Sequence, residues 1–225
     1  MTTDTFKNDL FSQFARVGKA LSNANRLELL EFLAQGSRSV EALAKVAKLS
    51  VANTSQHLQL LRQSGLVTSR KDGLKVYYSL SGDDVITMLD SLRSVAERHL
   101  SDVNQLVNTY LSSKDELDPI PAAELLERAK QDLVTVLDVR PKDEYDAGHV
   151  QGAINIPLNE LKQHLEKFDP TSEIVAYCRG PHCVLAFNAV AELRKKGFKA
   201  RRLENGFPEW KIAGLPIESN LNHTQ

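Results

Sequence analysis

Cysteine is nearly missing from this sequence, with two residues in 225 and none before position 178. So few cysteines exclude a disulfide-stapled scaffold and point to the cytoplasm as compartment. They also deny the first 177 residues any thiolate metal site. No apolar run approaches the ~18–20 residues of a membrane span, so no membrane partner is expected. The start, Met1-Thr2-Thr3-Asp4, lacks a basic stretch followed by an apolar one, and no signal peptide is expected. An excess of one charge is absent as well, since the formal net charge is −1. What remains, 42% apolar and 25% charged residues, is the composition of a globular chain of one or two domains. No internal repeat or low-complexity segment interrupts it.

The neutral total hides a basic segment. Between Arg38 and Leu80, Arg38, Lys45, Lys48, Arg62, Arg70, Lys71 and Lys75 stand against Glu41 and Asp72 alone. A solvated face and a nucleic-acid footprint both fit that charge. The apolar period narrows the choice. Phe6, Leu10, Phe14 and Val17 recur at helical spacing. Ser22 or Asn23 caps a second helix through Leu27, Leu30 and Leu33, stopping near Gly36. Ser39 caps a third helix, and Ser50 a fourth that ends at Gly65. The period then changes to two strand-like runs, 66–70 and 74–80, joined by Lys71-Asp72-Gly73, a hairpin signal.

Helices followed by a hairpin make a winged helix-turn-helix. The sequences Leu21-Ser22-Asn23-Ala24-Asn25-Arg26-Leu27-Glu28-Leu29-Leu30 and Ser55-Gln56-His57-Leu58-Gln59-Leu60-Leu61-Arg62-Gln63-Ser64-Gly65-Leu66-Val67 closely resemble the ArsR family of bacterial repressors. The resemblance covers about residues 6–110 and implies a dimer that reads double-stranded operator DNA. Asn53, Ser55, Gln56 and Gln59 are the polar positions suited to base edges. Thr54, Leu58 and Leu61 face the core, and His57 either touches a phosphate or packs inside. Arg62 and the wing residues Arg70, Lys71 and Lys75 suit phosphates, unless the wing is only a soluble hairpin. Metal-sensing members of the family use cysteines on these helices. This chain has Ala42, Ala44 and Ala47 there, and only Asp90 and His99 on the helix that follows, so neither metal nor cofactor is expected.

That following pattern runs from Val85 to Tyr110. Opened by Asp83 and Asp84, a helix of about 28 residues, roughly 40 Å long, must cover its stripe against something. A second copy of itself is one partner, with Leu89, Leu92, Ala96 and Val103 at the seam of a homodimer; a lone helix bridging two domains is the alternative. Residues 1–111 therefore read as a mainly α domain with a β-hairpin wing. Residues 112–121 read as a linker, and 122–225 as a second domain. In the latter, helix-like segments 122–129, 158–168 and 184–196 alternate with strand-like 134–139, 174–177 and 200–203, the mark of an α/β parallel sheet flanked by helices.

Cys178 ends the apolar run Ile174-Val175-Ala176-Tyr177 and opens Arg179-Gly180-Pro181-His182-Cys183, after which a helical pattern begins at Val184. A strand, a tight loop and a helix start can stabilise a thiolate and the anion it attacks. A buried structural cysteine is the other reading. The flanks carry Leu137-Asp138-Val139-Arg140-Pro141, Gly148-His149-Val150-Gln151-Gly152-Ala153-Ile154-Asn155-Ile156-Pro157 and Asn205-Gly206-Phe207-Pro208-Glu209-Trp210. Together these resemble the rhodanese, or sulfurtransferase, family over roughly residues 118–219. The resemblance implies a persulfide sulfur on catalytic Cys178, drawn from a small sulfur-bearing anion or persulfide donor. Amides of Arg179, Gly180, His182, Cys183 and Val184 would form its cup, with Arg179 attracting the anion and Gly180 allowing close approach. Asp138 and Arg140 would organise the loop from beneath, and His149 would pack structurally. Cys183 is either a resolving thiol or a small helix-start residue. A phosphatase or arsenate reductase would need an arginine clamp where Cys183 and Val184 stand. Two functions are carried forward: a homodimeric repressor whose fused rhodanese domain handles reactive sulfur, and a sulfurtransferase that uses its N-terminal half mainly to dimerise.

Overall fold

The computed structural model describes residues 2–112 and 118–220. The chain divides into two compact units, Met1–Val85 and Ile86–Gln225. Among the described residues no helix is long and apolar enough to cross a membrane.

The first unit holds α1 (Thr3–Leu21), α2 (Ala24–Leu33), β1 (Arg38–Ser39), α3 (Val40–Val46), α4 (Val51–Gln63), β2 (Val67–Asp72) and β3 (Lys75–Leu80). Side-chain caps start the helices. Asn23 accepts from the Arg26 amide, Ser39 from Ala42 and Ser50 from Asn53. Each cap satisfies one of the amides that a helix start leaves unpaired. Gly65, at φ +79, ends α4 in the left-handed region that glycine enters without strain. Leu29, Leu30, Leu43, Leu58 and Leu61 are fully buried and join α2, α3 and α4 into one core. In the wing, Asp72 pairs with Lys75, so the tight loop is Gly73-Leu74. Gly73 at φ +58 leads it, the residue order of a type II′ hairpin. Sequence reading missed β1, which pairs antiparallel with β3 through Arg38 and Tyr78. Arg38 is buried there, so not every base of the segment is on the surface.

The second unit contains most of α5 (Asp84–His99), then α6 (Ser101–Val107), α7 (Ala122–Lys130), β4 (Val134–Asp138), α8 (Lys142–Ala147), β5 (His149–Val150), β6 (Ile154–Asn155), β7 (Glu173–Tyr177), α9 (Val184–Lys195), β8 (Ala200–Arg202), α10 (Phe207–Ile212) and β9 (Ile217–Glu218). A parallel four-stranded sheet runs in the order β6-β4-β7-β8. Its two faces read directly from alternation along β4 and β7. Leu137, Val139, Ile174, Ala176 and Cys178 share a core with Ala186, Ala189, Val190 and Leu193 of α9. Val134, Val136, Val175 and Tyr177 pack with Leu125 of α7 and with Phe207 and Trp210 of α10.

Two expected helices differ. The pattern from Val85 to Tyr110 is not one helix, because Leu100 at φ −108, ψ 104 breaks it between α5 and α6. The Asn104 side chain donates to the Glu97 carbonyl at 2.7 Å, satisfying an acceptor that the break would orphan. The helix expected over 158–168 is a pair of single 3-10 turns, Leu161–Gln163 and Leu165–Lys167. Leu161 and Phe168 are the buried anchors there, too few for a continuous helical face. By its contacts α5 groups with the second unit from Ile86 on, whereas sequence placed it wholly in the first. Residues 113–117 of the expected linker and 221–225 at the C-terminus lie outside the described residues.

Candidate functional site

The cysteine loop is built at the C-terminal end of β7 and capped by α9. Cys183 is the N-cap of α9, and the Cys178 side of β7 faces the core that α9 covers. Between them lies a turn in which the Cys183 amide donates to the Gly180 carbonyl at 3.1 Å. Pro181 takes the second position of that turn, where its fixed φ is favourable. Cys178 and Cys183 are joined by a disulfide, with their Cα atoms 6.3 Å apart. That separation lies in the ordinary range for the bond. Cys178 is buried and Cys183 half-buried.

Three sequence expectations for the loop change. The Cys183 amide is occupied by Gly180 rather than offered to a ligand, because the turn needs it. The Arg179 guanidinium grips the buried Glu144 carboxylate through contacts of 2.7–3.1 Å, so its charge is matched from within the protein rather than held for an anion. Close backbone approach belongs to Gly206, not Gly180. A Cβ on Gly206 would overlap the Arg179–Gly180 peptide, whereas one on Gly180 would meet only the Arg93 side chain at 3.8 Å. His182 and Val184 are half-buried. Burial lowers the His182 pKa, and the nearby Arg93 and Arg202 cations push it the same way against Glu97.

Beneath the loop sits a polar layer. Arg140 and Asp138 are both inaccessible to solvent and joined by contacts of 2.6–3.1 Å. Arg140 also donates to the Gly148 carbonyl at 2.7 Å. The Tyr177 hydroxyl donates to Asp138 at 2.6 Å and accepts from the Val150 amide at 3.0 Å. Burial, then the Asp138 charge, raises the Tyr177 pKa well above its usual value and keeps the hydroxyl protonated. Such a layer is tolerable in a dry core only when each member is matched. His149 is buried, stacked on Tyr145 at 3.6 Å and bonded to the Tyr145 carbonyl. Glu144 and Tyr177 are the members that sequence reasoning passed over. Tyr177 stands directly before the cysteine, whereas Glu144, between two of the flanking motifs, carries no sequence sign of its partner Arg179. An open cleft of about 450 Å³ lies at the C-terminal ends of β4 and β6, lined by Val139, Pro141, Pro157, Leu158 and Leu185.

In the first unit, α4 turns Gln56 and Gln59 to solvent, with Asn53 and Ser55 half-buried beside them. Thr54, Leu58 and Leu61 lie in the core. His57 packs inward. Its Nδ1 is buried without a hydrogen-bond partner among the described residues, and burial, with Arg26 nearby, lowers its pKa. The residue as a whole is half-buried. Lys71 and Lys75 are exposed on the wing. Arg70 shares its charge with Asp72 at 3.5 Å, and Arg62 donates to the Ser69 hydroxyl at 3.1 Å, tying α4 to β2. Of the seam residues, Leu92 is 41% exposed, Leu89 and Ala96 are half-buried, and Val103 lies beyond the break on α6. Val95 on α5 and Phe6, Phe11 and Phe14 on α1 add further exposed apolar surface that sequence reasoning left outside the seam.

A winged helix-turn-helix unit followed by a parallel α/β unit with a cysteine loop defines the class: a DNA-reading module joined to a rhodanese-like one. Family models agree. One described as "Bacterial regulatory protein, arsR family" matches residues 23–69, and one described as "Rhodanese-like domain" matches 121–213. The HTH-type transcriptional regulator Rv0324 of Mycobacterium tuberculosis is 45% identical over 94% of this chain and 93% of its own length. The chain thus belongs to the ArsR family of transcriptional regulators, in a form that carries a C-terminal rhodanese domain. That C-terminal part is 30% identical to the thiosulfate sulfurtransferase GlpE of Coxiella burnetii, over 41% of this chain and 85% of GlpE. Among solved structures, the homodimeric winged helix-turn-helix DNA-binding domain of Mb0332 from Mycobacterium bovis is 44% identical, covering 42% of this chain and 87% of that one at a TM-score of 0.40.

Proposed function

We propose that this protein is a homodimeric, DNA-binding repressor in which sulfane sulfur is received at Cys178 and converted into a disulfide signal. The observation that carries the reading is the Cys178–Cys183 bond at the start of α9, in a chain that also bears an ArsR-type reader. The chemistry balances without an outside oxidant. The Cys178 thiolate attacks the outer sulfur of thiosulfate, a new S–S bond forms, and sulfite leaves. The Cys183 thiolate then attacks Cys178 Sγ, and hydrosulfide leaves as the disulfide closes. The cysteine pair loses two electrons and the donated sulfur gains them. A cellular dithiol resets the loop.

The rival reading is a sulfurtransferase that uses its first unit only to dimerise, and the likeness to GlpE favours it. A transferase must keep its persulfide until an acceptor arrives. A resolving thiol within bonding reach consumes it first, so the disulfide supports the regulator. Mass spectrometry after treatment with thiosulfate or an organic persulfide separates the two. Cys183→Ser should hold one added sulfur on Cys178, wild type should release sulfide and lose both thiols, and Cys178→Ser should gain nothing. A wild-type persulfide as durable as that of Cys183→Ser would sink the regulator's sulfur step. Selection of bound duplexes by the wild-type protein, giving an inverted repeat with half-sites about one helical turn apart, tests the reader. Equal affinity for random duplex would refute it.

A further inference from the structure

Helix α5 touches the cysteine loop by two routes. His182, inside the loop, places Nε2 3.4 Å from Oε1 of Glu97. One turn earlier on the same side of α5, Arg93 places Nη1 3.2 Å from Glu209 Oε1, and at the same distance from Asp90. Glu209 belongs to the loop's support. Its Oε2 accepts from the Gly206 amide at 3.0 Å, and Gly206 lies against the Arg179–Gly180 peptide with no room for a Cβ. The next amide, Phe207, donates to the Cys178 carbonyl at 3.0 Å. Both ends of the disulfide ring are thus connected to charged residues of α5. The exposed apolar side chains Leu92 and Val95 stand on another stripe of the same helix.

From this arrangement we infer that Arg93 and Glu97 are a latch through which α5 reads the state of the cysteine loop, an inference that rests on the disulfide chemistry proposed above. With the Cys178–Cys183 bond closed, the ring of six residues holds His182 at Glu97 and holds the Gly180 peptide under Gly206. A dithiol reductant gives its two electrons to the bond, itself becoming a disulfide, and both cysteines become thiols. The ring is then open, His182 leaves Glu97, and the Gly206–Glu209–Arg93 contact loosens. The helix that carries the apolar stripe loses two tethers at once. Arg93 and Glu97 are positioning residues, since neither touches sulfur.

The test is hydrogen exchange of α5 in the full-length protein, air-oxidised and dithiothreitol-reduced, with thiols counted in each sample. Wild-type α5 should exchange about tenfold faster when reduced. Glu97→Gln keeps the side chain's shape, Arg93→Gln shortens it and removes the charge, and both positions lie partly exposed, so both variants should fold. Each should show a smaller difference between the two states, and the double variant none, while its disulfide still forms. An α5 indifferent to reduction in a wild-type protein with a counted disulfide overturns the latch alone. So does a double variant that responds like wild type. Two free thiols persisting in the oxidised wild type would overturn the sulfur reading and the latch with it.

Discussion

Arg140 and Arg179 look alike in the sequence, each near the C-terminal end of a strand of one sheet, and their surroundings separate them. Arg140 is sealed with Asp138 under Tyr177 and Phe207, its guanidinium 4.4 Å from the Phe207 ring centre. Removing either partner of such a pair would strand a buried charge at a cost of about 3–5 kcal/mol. Arg179 is held by Glu144, a residue whose spacing in the chain gives no hint of the meeting. Pairing across 35 positions is a tertiary fact that no local pattern encodes. Cys178, by contrast, was legible because strand, loop and helix start are consecutive. His57 shows the same limit in the first unit. Its helical position allowed either side, and packing sent its Nδ1 inward, without a hydrogen-bond partner among the described residues. That leads to a pH expectation. Burial holds its folded pKa below the ordinary value near 6.5, so both states are neutral above about that pH. As pH falls through 6.5 the unfolded chain takes a proton that the folded chain refuses, and stability drops until the folded pKa is reached. Urea midpoints of wild type should fall between pH 7.5 and 5.5, and His57→Leu should fall less. Parallel slopes would show that His57 carries none of the loss.

At the scale of elements, caps and periods were the reliable signs. Asn23, Ser39 and Ser50 start their helices, and the change of period at Leu66 marks the wing. What failed was continuity. The stripe from Val85 to Tyr110 has the right spacing on both sides of Leu100, and nothing in an apolar pattern announces one extended residue in between. The pairs β1–β3 and β5–β9 were invisible because two-residue strands have no period to read. The break divides the proposed seam. Leu92 and Val95 share α5, and Val103 lies past the turn, so the α5 side should carry the dimer. Leu92→Asp puts a charge on that surface and would bury it unpaired on association. Sedimentation velocity should find monomer, with operator binding lost, while unfolding of the monomer stays within about 0.5 kcal/mol of wild type because Leu92 is exposed in the single chain. A dimer that survives Leu92→Asp would move the seam elsewhere, with the exposed phenylalanines of α1 the next surface to test.

At the scale of the whole molecule, a reader and a sulfur loop in one chain make a regulator only if each alters the other's equilibrium. Coupling between two sites is reciprocal in free energy and typically amounts to about 1–3 kcal/mol. If a repressor releases its operator when the loop closes, operator DNA must favour the open dithiol by the same factor. A tenfold difference in affinity per protomer corresponds to about 30 mV for a two-electron couple. Because DNA would stabilise the reduced form, the loop's midpoint should move to a more positive potential when saturating operator is added. Random duplex at the same concentration and salt should leave it unchanged, since non-specific phosphate contact carries no information about sequence. A thiol–disulfide titration of the full-length protein with operator, with random duplex and with neither gives the three midpoints. Coincidence of all three would show that the Cys178–Cys183 pair does not govern DNA binding. The disulfide would then belong to a sulfur-handling enzyme that only shares a chain with a repressor. A shift with operator alone, matched in size by the affinity difference measured directly between reduced and oxidised protein, satisfies the thermodynamic cycle and no uncoupled arrangement can reproduce it.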